Sequence, residues 1–99
     1  MTDESSVLAA IRQIIDPELG CNLVDLGLIY KVEIDGPRVR VTMTLTTPGC
    51  PMHEGLVKGV RTVVGGLADV DEVEVDLVWE PPWTPDRITA AGRDVVGSW

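Results

Sequence analysis

The chain has 99 residues, 44% hydrophobic and 24% charged, with eight Lys and Arg against sixteen Asp and Glu and a net charge of −8. That length holds one ordinary globular domain, residues 1–99, whose core is too small for a deep, fully enclosed active site. The acidic balance repels phosphate backbones and anionic membrane surfaces, so neither nucleic acid nor a membrane is an expected partner.

From Val7 to Ile15 the apolar residues Val7, Leu8, Ile11, Ile14 and Ile15 follow the stripe of an amphipathic helix, stopped by Pro17. Leu28 to Ile34 alternates Leu28, Tyr30, Val32 and Ile34 against Lys31 and Glu33, which predicts a strand with one buried face. Asp35-Gly36-Pro37 supplies a turn. Arg38 to Thr46 repeats the alternation, with Val39, Val41, Met43 and Leu45 inward and Arg38, Arg40, Thr42, Thr44 and Thr46 outward, completing a β-hairpin. Thr47-Pro48-Gly49-Cys50-Pro51 breaks the strand. Met52, Leu56, Val57, Val60, Val63 and Val64 then take helical spacing up to Gly65-Gly66. Gly55 and Gly59 weaken that helix, so they are expected where it lies close against the sheet.

Glu72 to Trp79 reads as a third strand, Val73, Val75, Leu77 and Trp79 alternating with Glu72, Glu74 and Asp76. A helix joins it to the second strand, so those two should run parallel. Thr84 as N-cap and Pro85 at the first helical position open a short last helix through Ile88 and Ala91. The expectation is an α-β-β-α-β-α, two-layer α+β domain with helices packed on one face of a small mixed sheet.

No apolar run approaches the roughly 18 residues of a membrane helix, and the start Met1-Thr2-Asp3-Glu4 lacks the basic region of a signal peptide, which predicts a cytoplasmic protein. The two cysteines, Cys21 and Cys50, form no CxxC, so they encode neither a disulfide framework nor a zinc ribbon and should be free thiols in a reducing compartment.

Cys50 lies between a strand end and a helix start at Pro51, where unpaired N–H groups and the positive dipole end favour a thiolate, a better nucleophile and a better ligand for a soft metal. A small buried hydrophobe at a turn is the other reading of the position. His53 follows at a spacing that can turn both side chains toward one ligand, although a histidine near a helix start is more often a solvated surface residue. Cys21, after Gly20, reaches Cys50 only if its loop folds over the sheet end. Asp16, Glu18 and Asp25 bring carboxylates to that loop that can hold a metal or move protons, or can simply satisfy turn amides. Glu80-Pro81-Pro82-Trp83 is a stiff segment that either presents an aromatic for docking or lets Trp79 and Trp83 plug the sheet end.

Four motifs occur in order: Asp16-Pro17-Glu18, Asn22 through Tyr30, Thr44-Leu45-Thr46-Thr47-Pro48-Gly49-Cys50-Pro51, and Trp79-Glu80-Pro81-Pro82-Trp83-Thr84. In spacing they resemble the SufT and PaaD family of iron–sulfur cluster assembly factors, from about Val7 to about Gly92. The resemblance implies a domain like that of other iron–sulfur assembly proteins, a role in maturing cluster-containing or diiron enzymes, and a functional cysteine at Cys50. It places Asp16, Glu18, Asn22, Asp25, Thr46, Thr47, Gly49 and Trp83 in motif positions around that thiol. Cys21 stands where an aliphatic residue is expected, and Glu80 where Asp is more usual. PaaD proteins carry a cysteine-rich C-terminal extension, and no cysteine follows Cys50 here, so the stand-alone SufT-like type is the expectation.

A cluster generally takes four ligands, mostly thiolates, which one chain of this composition cannot supply. The first expectation is therefore a delivery factor that holds iron or an iron–sulfur cluster transiently at Cys50, with His53 as a secondary ligand and nothing permanently bound. Clients would be apo-metalloenzymes, partners the assembly proteins, and a homodimer is compatible with both the hairpin edge and the missing ligands. The alternative is a metal-free adaptor that uses Glu80, Trp83 and the loop from Asp16 to Asp25 to bind clients and machinery. A thiol or hydrolytic enzyme is not expected, because no third group orients Cys50 and His53.

Overall fold

The computed structural model describes residues 3–16, 20–45 and 53–96, without the side chains of His53 and Val96. Helix α1 (Glu4–Ile11) begins where Asp3 caps it, the Asp3 carboxylate accepting the Ser6 amide at 2.8 Å. This bond holds the Asp3 carboxyl below its ordinary range. The helix thus starts before Val7 and ends at Ile11 rather than at Ile15. Ile15 is 51% exposed, because its backbone leaves the helix to bridge Asn22.

Strands β1 (Ile29–Asp35) and β2 (Arg38–Met43) form the expected hairpin. Gly36 takes a positive φ of 59° in its two-residue turn, a conformation open to glycine at little cost. Helix α2 (His53–Gly65) follows, then β3 (Glu72–Leu77), parallel to β2 as the crossover requires. The Pro37 carbonyl accepts the amides of Asp71 and Glu72, which sets the entry of β3. The sheet order is β1-β2-β3. A 3-10 turn (Pro85–Arg87) and α3 (Ala90–Val96) complete the described chain.

Period-2 alternation gives the sheet two chemically different faces. Val39, Val41 and Met43 of β2 are fully buried, flanked by Val32 and Ile34 of β1 and by Val73, Val75 and Leu77 of β3. Over them lie Val7 and Ile11 of α1 and Leu56, Val60 and Val64 of α2. Each such aliphatic side chain contributes about 1.5–3 kcal/mol on full burial. The opposite face carries charge, with Arg38 on Glu72 at 2.9 Å and Arg40 between Asp76 and Glu74.

Several expected details are corrected. The register shifts between Ile29 and Lys31, so Tyr30 is the extra residue of a bulge and leaves the core series. β2 ends at Met43, and Thr44, expected outward, is fully buried; β3 ends at Leu77, leaving Trp79 exposed. Neither helical glycine meets the sheet: Gly55 faces open space, and a Cβ on Gly59 would lie 3.3 Å from Ile14. The last helix divides in two. Thr84 opens only the 3-10 turn and makes no side-chain cap, whereas Thr89 caps α3 by accepting the Gly92 amide at 3.1 Å. No helix among the described residues is long and apolar enough to cross a membrane.

Candidate functional site

The segment between α1 and β1 folds back on itself. Asp16 donates its amide to the Cys21 carbonyl at 2.9 Å, and Gly20, at φ 70°, donates to Asp16 at 2.8 Å. Those bonds turn two polar residues inward, so that Asp16 is 5% and Cys21 1% exposed. Burial pushes the Cys21 thiol up from its ordinary pKa, and the carboxylates of Asp25 and Asp16 add to the shift. The buried Cys21 thiol therefore stays protonated where an ordinary thiol begins to ionise.

Asn22 and Asp25 lock the next turn. The Asn22 side chain accepts the Asp25 amide at 2.9 Å and donates from Nδ2 to the Asp25 carboxylate at 2.8 Å. Leu26 donates to Asn22, Gly27 to Val24 and Leu28 to Leu23, leaving Leu23, Leu26 and Leu28 in the core. The motif's alternating polar and aliphatic residues thus follow a turn whose polar members bond each other while its leucines bury.

The C-terminal segment clasps this turn from outside. After a cis Glu80–Pro81 bond, the Pro81 carbonyl accepts the Tyr30 hydroxyl at 2.7 Å. Trp83, half-buried against the core, donates from Nε1 to the Leu26 carbonyl at 2.6 Å. Arg87 lies over the Tyr30 ring, 4.6 Å from its centroid. Thr89 donates to the Asp25 carbonyl at 2.8 Å.

Asp16, Cys21, Asn22 and Asp25 are thus brought together, and Trp83 is tied to the far end of the same turn. Glu80 is exposed on the clasp. Glu18, Thr46, Thr47, Gly49 and Cys50 lie outside the described residues, as does the side chain of His53, the first residue of α2. No group of three metal-ligating side chains forms among the described residues. Sequence reasoning missed Thr44. Its amide donates to Leu28 at the end of the turn, and its Oγ1 is buried without a hydrogen-bond partner among the described residues, a costly arrangement for a hydroxyl. Strict alternation gave no signal for it, since the position reads as an outward threonine.

A family model described as iron–sulfur cluster assembly protein matches residues 4–77, from the start of α1 to the end of β3. The chain belongs to this family. Among relatives of the iron–sulfur cluster assembly protein, it is 44% identical over 85 residues to the Fe–S protein maturation auxiliary factor SufT of Staphylococcus aureus, covering 85% of this chain and 97% of that one. It is 38% identical over 95 residues to the Fe–S protein maturation auxiliary factor YitW of Bacillus subtilis, covering 95% and 93%. The crystal structure of a domain of unknown function, DUF59, from Bacillus anthracis superposes with a TM-score of 0.90 at 38% identity, covering 97% of this chain and 92% of that one. The fold described above is therefore shared with a solved structure over nearly the whole chain.

Proposed function

We propose that residues 1–99 form a single domain that serves in the cytoplasm as a non-enzymatic iron–sulfur assembly and maturation factor, assisting delivery of iron or a cluster to client metalloenzymes through the thiol of Cys50. The observation that carries this reading is the 44% identity to a maturation auxiliary factor over 97% of that protein. The cluster is cargo here, not a resident group. Cys50 with His53 supplies two ligands, so the remaining positions on the cargo belong to the recipient, a second copy or a small thiol, which makes release easy. Asp16, Glu18, Asn22, Asp25, Thr46, Thr47 and Gly49 line the site, and Glu80 with the ring of Trp83 meets client or assembly proteins.

The architecture supports this division of labour. The Asn22–Asp25 turn is fixed by reciprocal side-chain bonds and by the clasp, a rigid platform of the kind a transfer site needs. The Trp83 N–H is engaged by the Leu26 carbonyl and its ring packs against the core, so the residue is held in a fixed position at the turn.

Anaerobic incubation with iron and sulfide, followed by absorption spectroscopy and metal counting, tests the reading on wild type and Cys50→Ala. Sulfide-to-iron charge-transfer bands are expected in the wild type and not in the variant, with equal circular dichroism. Cells carrying Cys50→Ala in place of the wild type should lose client enzyme activity. Full client activity in those cells would overturn the proposal.

A further inference from the structure

Strand β3 is one of the sheet's two edges, β1 being the other, and among the described residues nothing pairs with its outer side. Edge strands of this kind invite a further strand unless they are blunted. Along the open face β3 carries Glu72, Glu74 and Asp76, served from β2 by only two guanidiniums: Arg38 on Glu72, and Arg40 shared between Glu74 and Asp76. Beside the edge, on the helical side, runs a groove of about 560 Å³ with Val57 and Leu77 as its apolar walls. Lys58 and Arg61 stand on its rim with Glu54 and Thr62, all four exposed.

We propose that this edge accepts a fourth strand from a partner protein, an extended segment that alternates basic with apolar side chains. Added beside β3, its basic residues stand opposite Glu72, Glu74 and Asp76, and its apolar residues lie over Leu77 and Val57. Main-chain bonds provide the binding and the alternation provides the choice of segment. The charge pattern selects against the two commonest wrong occupants. A second copy of β3 is disfavoured, because face-matched antiparallel pairing centred on either Glu74 or Val75 sets carboxylate against carboxylate. A uniformly basic segment is disfavoured because half its cations would face the groove, where Lys58 and Arg61 outnumber Glu54. The inference uses none of the residues of the delivery reading and stands or falls without it.

The test uses the full chain and a capped ten-residue peptide in which lysine and valine alternate, with a peptide of equal composition but lysines and valines in separate blocks for comparison. Saturable binding of the alternating peptide is expected, with amide chemical shifts confined to β3 and α2. The block peptide and an alternating peptide N-methylated on one backbone edge should bind about tenfold more weakly or worse. Glu74→Lys should weaken the alternating peptide by about tenfold, while Glu33→Lys, on β1 of the same face, should change it less than about twofold. Equal binding of the block peptide, an equal effect of Glu33→Lys, shifts centred on β1, or a wild-type dimer in sedimentation that Glu74→Lys strengthens by removing like-charge contacts would each overturn the proposal. Retained circular dichroism of both exposed-site variants makes any of these outcomes interpretable.

Discussion

At Gly27 two independent constraints meet, a positive φ of 78° and an absent Cβ that would lie 2.3 Å from the Arg87 carbonyl oxygen. Gly36 meets only the first, at φ 59° with nothing within 4 Å. Gly36→Ala should therefore cost about 1 kcal/mol and Gly27→Ala about 3 kcal/mol in urea denaturation, the difference being the displacement of the clasp. Cys21 makes a prediction in pH. Its thiol stays protonated in the folded state over a range where the unfolded chain ionises, so the stabilisation is complete below the ordinary thiol pKa of about 8.5 and is lost as pH rises toward the raised value. Stability of the wild type should fall more steeply above that pH than stability of Cys21→Ala, as read from denaturation midpoints. Parallel curves would show that the thiol's burial carries no linked proton.

Among the elements, the strands were legible because period-2 alternation is a direct consequence of one buried face: Val39, Val41, Met43, Val73 and Val75 fall where the pattern puts them. The first helix was misplaced because Ile14 and Ile15 continue its spacing, while the local bonds of Asp16 and Leu23 draw that backbone into the loop. The Tyr30 bulge was invisible for a related reason, since its partners, Pro81 and Arg87, are remote in sequence. Of the site, the loop of Asp16, Asn22 and Asp25 was legible as a cluster of short polar side chains, but that Asn22 and Asp25 satisfy one another was not. Trp83, read as a docking residue or a plug, packs against the core and also ties the clasp to the turn. Trp83→Phe should cost about 1 kcal/mol through the lost bond to Leu26, and Trp83→Ala about 3 kcal/mol through lost packing as well. The phenylalanine variant keeps an aromatic ring, so client binding that survives Trp83→Phe and fails in Trp83→Ala at matched folded fractions would assign recognition to the ring.

Across the molecule, the clasp links chain segments that the sheet leaves apart. Residues 81–92 bond Leu26 through Trp83, stack on Tyr30 through Arg87, and reach Asp25 through Thr89, so the turn draws its rigidity from this C-terminal segment. Gly92 is a second point of close approach, because a Cβ there would lie 2.7 Å from the Asp25 carbonyl oxygen and 2.8 Å from Ile88 Cγ2. Gly92→Ala must push α3 away from the turn and strain the Thr89 bond to Asp25. Local opening then exposes the amides of Leu26, Gly27 and Leu28, whose bonds to Asn22, Val24 and Leu23 close the turn. Native-state hydrogen exchange at those three amides should accelerate by about tenfold to a hundredfold, while the amides of β2, paired on both sides, change much less. Equal acceleration in β2 would mean that α3 stabilises the whole domain cooperatively, and no acceleration at the turn would mean that the clasp rests on the turn without holding it.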